Sequence, residues 1–164
     1  ITNKFDEHTT RQGTLFCWKA KGEDNPLSAH LRSVPFPRVL RYYKTMQQLC
    51  HGSTLIDISD WKQEEIIILQ GIGVECLNPR DLGLKELVQK CRYKKIITID
   101  TALAHLCAVT GTNATLLLNQ IPDERWTELH QPHNCYGKYL TILQQTQFCN
   151  WEEPLSSLLN CAST

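Results

Sequence analysis

The stretch Lys95–Val109, KIITIDTALAHLCAV, contains the change of period that decides the fold. Ile96, Ile97, Thr98 and Ile99 form a short β-branched run without polar alternation, the pattern of a parallel strand buried on both faces. Past Asp100 and Thr101 the apolar residues Leu103, Leu106 and Cys107 recur at helical intervals. At such a strand-to-helix junction Asp or Thr can cap the helix, whose first N–H groups have no internal partner. The same N–H groups and the positive helix end also make the junction an anion site. His105, about one turn in, can reach that region. Two readings stand side by side: a plain N-cap Asp100 with a core histidine, or a diphosphate site built from Asp100, Thr101, Ala102 and His105.

Outward from this junction the alternation repeats. Residues 14–19, TLFCWK, read as the first strand, and 20–33 as a polar loop rich in Gly, Asn, Pro and Ser. Pro35 suits the first turn of a helix with Ser33 as its cap, and Phe36, Val39, Leu40, Tyr43 and Cys50 mark one face as far as His51-Gly52. Residues 54–58, TLIDI, are the second strand. A helix from Trp61 or Lys62 to Gln70 ends at Gly71 and Gly73, and Val74–Leu77 is a short third strand before an Asn78-Pro79 loop. Leu84, Leu87, Val88 and Cys91 have the spacing of an amphipathic helix.

The helix after Thr101 is expected to run to about 110 and to close at Gly111. Residues 114–118, ATLLL, are the fifth strand, 139–143 a last strand and 152–159 a terminal helix. Strands alternating with helices through short connections specify an α/β domain with a doubly wound parallel sheet. Residues 1–13 read as a polar lead-in and 14–164 as a single domain. Such sheets bind ligands beyond the carboxyl ends of their strands, so the loops that matter are 20–34, 59–61, 77–82, 100–105 and 119–126.

Bulk composition narrows the function classes. Lys plus Arg and Asp plus Glu are 17 each, which argues against a general nucleic-acid or anionic-membrane binder. No apolar run approaches the roughly 20 residues that span a bilayer, and the polar start ITNKFDEHTTRQG has no signal-peptide pattern. The missing initial Met is read as a processed product or a piece of a longer protein. The 8 cysteines are scattered singly, without CxxC or zinc spacing. Cys17, Cys76, Cys91 and Cys107 sit in apolar patterns and read as reduced core thiols of a cytoplasmic protein; the alternative is a secreted disulfide framework.

The segment IDTALAHLCAVTG and the strand after it resemble the nucleotide-sugar half of family 9 glycosyltransferases, which include ADP-heptose:lipopolysaccharide heptosyltransferases. The likeness is nearest to the branch found behind tetratricopeptide repeats, with Asp100, Thr101, Ala102 and His105 matching its Asp-Thr-Ala-x-x-His. Pro122, Asp123, Arg125 and Trp126 resemble that branch's next motif, followed in order by Tyr136 and Trp151. Upstream, Trp18 and Arg32-Ser33-Val34-Pro35 resemble its first-strand and helix-entry text, so the likeness spans about residues 14–160. Ala102 departs from the Gly of the heptosyltransferases themselves, and Glu124 stands where the branch has an aromatic residue.

The resemblance implies one Rossmann-like half of a GT-B-type, metal-independent transferase whose donor is a nucleoside diphosphate sugar, with no other cofactor. It implies an N-terminal acceptor-binding half that carries the presumed catalytic base, or a repeat domain, in the full-length protein, with the catalytic residues outside this chain and little turnover by this chain alone. The N–H groups of Thr101 and Ala102 and the Thr101 hydroxyl would meet the diphosphate, with His105 donating to a phosphate or sugar oxygen. Asp100 falls either near the sugar hydroxyls or at its own helix N-terminus, the second being favoured. Arg32 is the first candidate for a phosphate cation and Lys19 the second; a solvated Arg32 is the plain alternative. Arg125 either closes over the donor or pairs with Asp123 or Glu124, while Asp60, Trp61 and Arg80 border a base and ribose pocket by loop position. The competing function is a non-catalytic α/β interaction module derived from the same fold.

Overall fold

Successive side chains on a strand point to opposite faces, so a strand apolar at every position must be covered twice. The computed structural model describes residues 13–22, 26–49, 53–78, 80–92, 95–127 and 137–160. Among these, six strands form one sheet in which every hydrogen-bonded pair is parallel: β1 (Thr14–Cys17), β2 (Leu55–Asp57), β3 (Glu75–Cys76), β4 (Lys95–Ile99), β5 (Ala114–Leu118) and β6 (Leu140–Gln144). Their order is β3-β2-β1-β4-β5-β6, the order of the dinucleotide-binding Rossmann sheet. The expected doubly wound fold is present.

The two faces carry separate cores. Phe16, Trp18, Ile97, Ile99 and Leu117 point to one side, where α2 (Phe36–Leu49), α3 (Gln63–Gly71) and α7 (Glu152–Asn160) supply Val39, Tyr43, Leu69 and Leu155. Leu15, Cys17, Ile96, Leu116 and Leu118 point to the other, against Leu103, Ala104 and Cys107 of α5 (Ala102–Thr110). Leu87 of α4 (Leu84–Arg92) packs beside this second cluster. Gly111 closes α5 in the left-handed conformation at φ 69°, which a residue without Cβ adopts at little cost.

Several local expectations change. Residues 20–34 are not a continuous loop, because Pro26–Arg32 form the helix α1, with Pro26 at its first position and Ala29 buried. Ser33 does not cap α2. Its N–H and hydroxyl both donate to Ala29 O, at 3.0 and 2.6 Å, closing α1 instead. Val39 N donates to Pro35 O, so Pro35 stands one place before the first helical residue. The loop before Trp126 contains a short helix α6 (Glu124–Thr127), β3 is two residues long, and β6 starts one residue later than expected.

Cys17, Cys76, Cys107 and Cys149 form no disulfide; Cys17 and Cys107 are buried, Cys76 is half-buried and Cys149 is exposed. Cys50, Cys135, Cys161, Tyr136, Pro79, His51 and Gly52 lie outside the described residues, as does the side chain of Cys91. No helix among the described residues is long and apolar enough to cross a membrane.

Candidate functional site

The sheet order reverses between β1 and β4, and such a reversal leaves a crevice beyond the carboxyl ends of the two strands. A cavity of about 400 Å³ opens there, floored by Cys17, Ile58 and Leu103. Lys19, Lys21, Arg32 and Arg80 stand around it, with Thr101 and Ala102 at the start of α5. Thr101 is the N-cap residue, extended at φ −143° and ψ 173°, and its side chain makes no cap bond. Its hydroxyl instead lies 3.1 Å from Thr98 Oγ1 and 3.8 Å from Cys17 Sγ. The first N–H groups of α5 are therefore left to the crevice, while the Thr101 hydroxyl is already engaged.

Asp100 is not the cap. It is buried, and its carboxylate Oδ2 lies 3.6 Å from Arg32 Nη1, which also donates to the Asp100 carbonyl at 2.9 Å. Arg32 Nε donates to Ser28 O at 3.2 Å, so the guanidinium is fixed across the crevice rather than solvated. This pair is also the wall of a second cavity, of about 430 Å³, bounded by Leu27, Asn119, Ile121, Asp123 and Arg125. Arg125 pairs with Asp123 at 2.7 and 2.8 Å, as one of its two readings required. The two hydrogen bonds hold the Asp123 carboxyl well below the usual carboxylate range.

His105 lines neither cavity. Its ring stacks on Trp126 at 4.8 Å, and Nε2 lies 3.4 Å from Arg125 Nη1. Its ring thus lies on the Asp123–Arg125 side of the site. Lys19 Nζ lies 3.2 Å from Glu65 Oε2 and 5.2 Å from the centre of the Trp61 ring, so its charge is shared with α3. Asp60 and Arg80 pair at 3.2 Å and separate the crevice from a cavity of about 430 Å³ that Trp61 and Asn78 help to line. The structure thus brings Lys19, Arg32, Asp60, Arg80, Asp100, Thr101 and Ala102 to one cavity, with Trp61, Asp123 and Arg125 at its neighbours.

Sequence reading missed the polar cluster behind this wall. Asp57, at the end of β2, is only 1% exposed. Its Oδ2 accepts from Tyr43 Oη–H at 2.8 Å and its Oδ1 from Ser59 N–H at 2.6 Å. Tyr43 Oη in turn accepts from Trp18 Nε1 at 2.9 Å, and Ser59 Oγ accepts from Trp18 N–H at 2.6 Å. Burial pushes the Asp57 carboxyl up from 3.8 to about 6, against the pull of these donors. It also pushes the Cys17 thiol up to about 12, with the Asp57 charge adding to the effect, so that thiol stays protonated. The available signal was an acidic residue inside the apolar run TLIDI.

Comparison of the chain with protein-family models, curated proteins and solved structures finds no significant match.

Proposed function

We propose that this chain binds a nucleoside diphosphate sugar as the donor half of a GT-B-type glycosyltransferase. The observation that carries the reading is the cavity of about 400 Å³ at the β1/β4 reversal, where the uncapped start of α5 faces Lys19, Lys21, Arg32 and Arg80. Together these groups suit a diphosphate. In glycosyl transfer the acceptor hydroxyl oxygen bonds the anomeric carbon as the bond to the diphosphate oxygen breaks; the departing diphosphate keeps the electron pair, and the hydroxyl proton passes to a base that the acceptor half would supply. Fixed N–H dipoles and a held guanidinium stabilise that charge without reorganising. The bonds that hold Arg32 to Asp100 and Ser28 support giving it that role. The ordered motifs around Asp100–His105 and Pro122–Trp126 supply the sugar-transfer part of the reading.

Calorimetry with ADP, UDP, GDP and their sugars is the test. Arg32→Ala should weaken the best ligand by about 1.5–3 kcal/mol, roughly 10- to 150-fold, if it donates a charged hydrogen bond. Ala102→Pro should also weaken it with the fold intact. Proline suits the first helical position, and Thr101 before it is already extended, so only the N–H is lost. Full affinity in both variants would place the ligand elsewhere. No binding of any of these nucleotides by the parent chain would remove the donor-half reading and leave the interaction module.

A further inference from the structure

The loop 58–61 forms part of three cavity walls, and it is fastened from behind by one buried carboxylate. Ile58 and Asp60 line the crevice, Ser59, Asp60 and Trp61 line its neighbour, and Trp61 lines a third space with Lys19 and Phe36. Ser59 donates its N–H to Asp57 Oδ1, and its Oγ receives Trp18 N–H from the end of β1. The Ser59 hydroxyl and the buried Trp61 indole N–H also favour the ionised carboxylate, although Trp61 Nε1 completes no hydrogen bond of its own. Donors from β1, α2 and the loop thus converge on, or are relayed to, one negative charge.

We propose that the ionised Asp57 carboxylate is the positioning residue that holds Ser59, Asp60 and Trp61 against the crevice, and that its protonation releases them. The reason is a count of donors and acceptors. The ionised carboxylate accepts from both Tyr43 and Ser59. A proton on Oδ2 turns that atom into a donor facing the Tyr43 oxygen, which already accepts from Trp18, and leaves the Tyr43 proton without an acceptor. A proton on Oδ1 displaces Ser59 N–H instead. Either way one buried donor is stranded, and the exposed end of the cluster is the loop, which moves at least cost. The titratable groups that face Asp57 are Tyr43 from α2, Cys17 from β1 and Cys76 from β3, and burial keeps all three in their neutral forms near pH 7.

The test needs no ligand to decide it. In two-dimensional NMR of the whole chain the indole N–H signals of Trp18 and Trp61 should follow one protonation with a midpoint near 6. Asp57→Asn should abolish that transition in both. Tyr43→Phe, which removes a donor that favours the ionised form, should move the midpoint upward while Trp61 still follows it. If Asp57→Asn does not fold, the wild-type and Tyr43→Phe titrations decide. A Trp18 signal that titrates while Trp61 stays constant would overturn the proposal, as would constancy of both.

A second arm rests on the donor-binding reading. It uses ADP-glucose, whose esterified phosphates do not titrate in this range. One pH unit below the midpoint its affinity should be about tenfold weaker than on the high-pH plateau, as the released fraction rises, and Asp57→Asn should flatten the profile. Absence of ADP-glucose binding at every pH would count against that substrate, and the indole titration would still settle the role of Asp57.

Discussion

Asp57 and Asp123 stand at the same edge of the sheet, behind β2 and beyond β5, and their proton affinities move in opposite directions. Asp57 is enclosed, accepts from neutral donors, and is pushed up to about 6 by burial. Asp123 lies in solvent, accepts from a guanidinium two residues away, and is held low. Hydrogen bonds favour the ionised form in both, so their number is not what separates the two. The deciding quantity is the solvation each charge has lost. The β1/β2 end of the edge is therefore a buried cluster that carries an electrostatic cost. The β4/β5 end carries two ion pairs of unlike exposure: Asp100 is buried beside Arg32, while Arg125 and Asp123 meet in solvent.

Tyr43→Phe should have the largest effect on the buried end. The variant keeps the ring and its edge contacts with Phe16 and Trp18 but removes the hydroxyl that bridges Trp18 Nε1 and Asp57. A buried indole N–H and a buried carboxylate each lose a partner, for a cost of about 3 kcal/mol. The thermal midpoint should fall by roughly 6–12 °C. A loss no larger than that of an exposed substitution would show that the cluster is wet and its burial unimportant.

Next in size is a pH effect. Because the folded-state pKa of Asp57 is raised, its contribution favours the native state at low pH and is lost as the pH rises through about 6. Between about pH 4.5 and about pH 7.5 the wild type should lose about 2 kcal/mol relative to Asp57→Asn. Urea unfolding of both proteins at the two pH values measures it. A wild type that gains on the variant as pH rises would reverse the sign and put Asp57 in the class of Asp123.

The parts of the molecule that were legible in the sequence are those set by local pattern. Ile96–Ile99 announce a strand covered on both faces, and Gly111 announces the end of α5, because burial and backbone geometry act within a few residues. The helix α1 was illegible because its seven residues bury only Ala29, and it is fixed by the Arg32–Asp100 contact 68 residues away. Placing Arg32, Thr101 and Asp60 near one crevice followed from strand order. The direction of His105 did not, since it depends on the Trp126 ring and on Arg125, which reach it from the loop after β5. Asp57 passed unremarked inside the strand TLIDI, because its partner Tyr43 lies on another element and its role needed the fold.

The smallest expected effect belongs to Arg125→Ala. Its bonds to Asp123 join residues two apart in the chain, so the unfolded state keeps part of the attraction, and solvent and salt screen the rest. The guanidinium also borders His105 and lines the cavity behind Arg32, so under the proposed function it is exposed to a bound donor rather than buried. The thermal midpoint should stay within measurement error of the wild type at physiological salt, while affinity for a nucleoside diphosphate sugar falls more than affinity for the nucleoside diphosphate alone. That asymmetry would place the sugar on the β5 side of the Arg32–Asp100 wall. A midpoint drop comparable to that of Tyr43→Phe would instead mean that Arg125 and His105 are part of a scaffold, and the contrast between the two ends of the edge would fail.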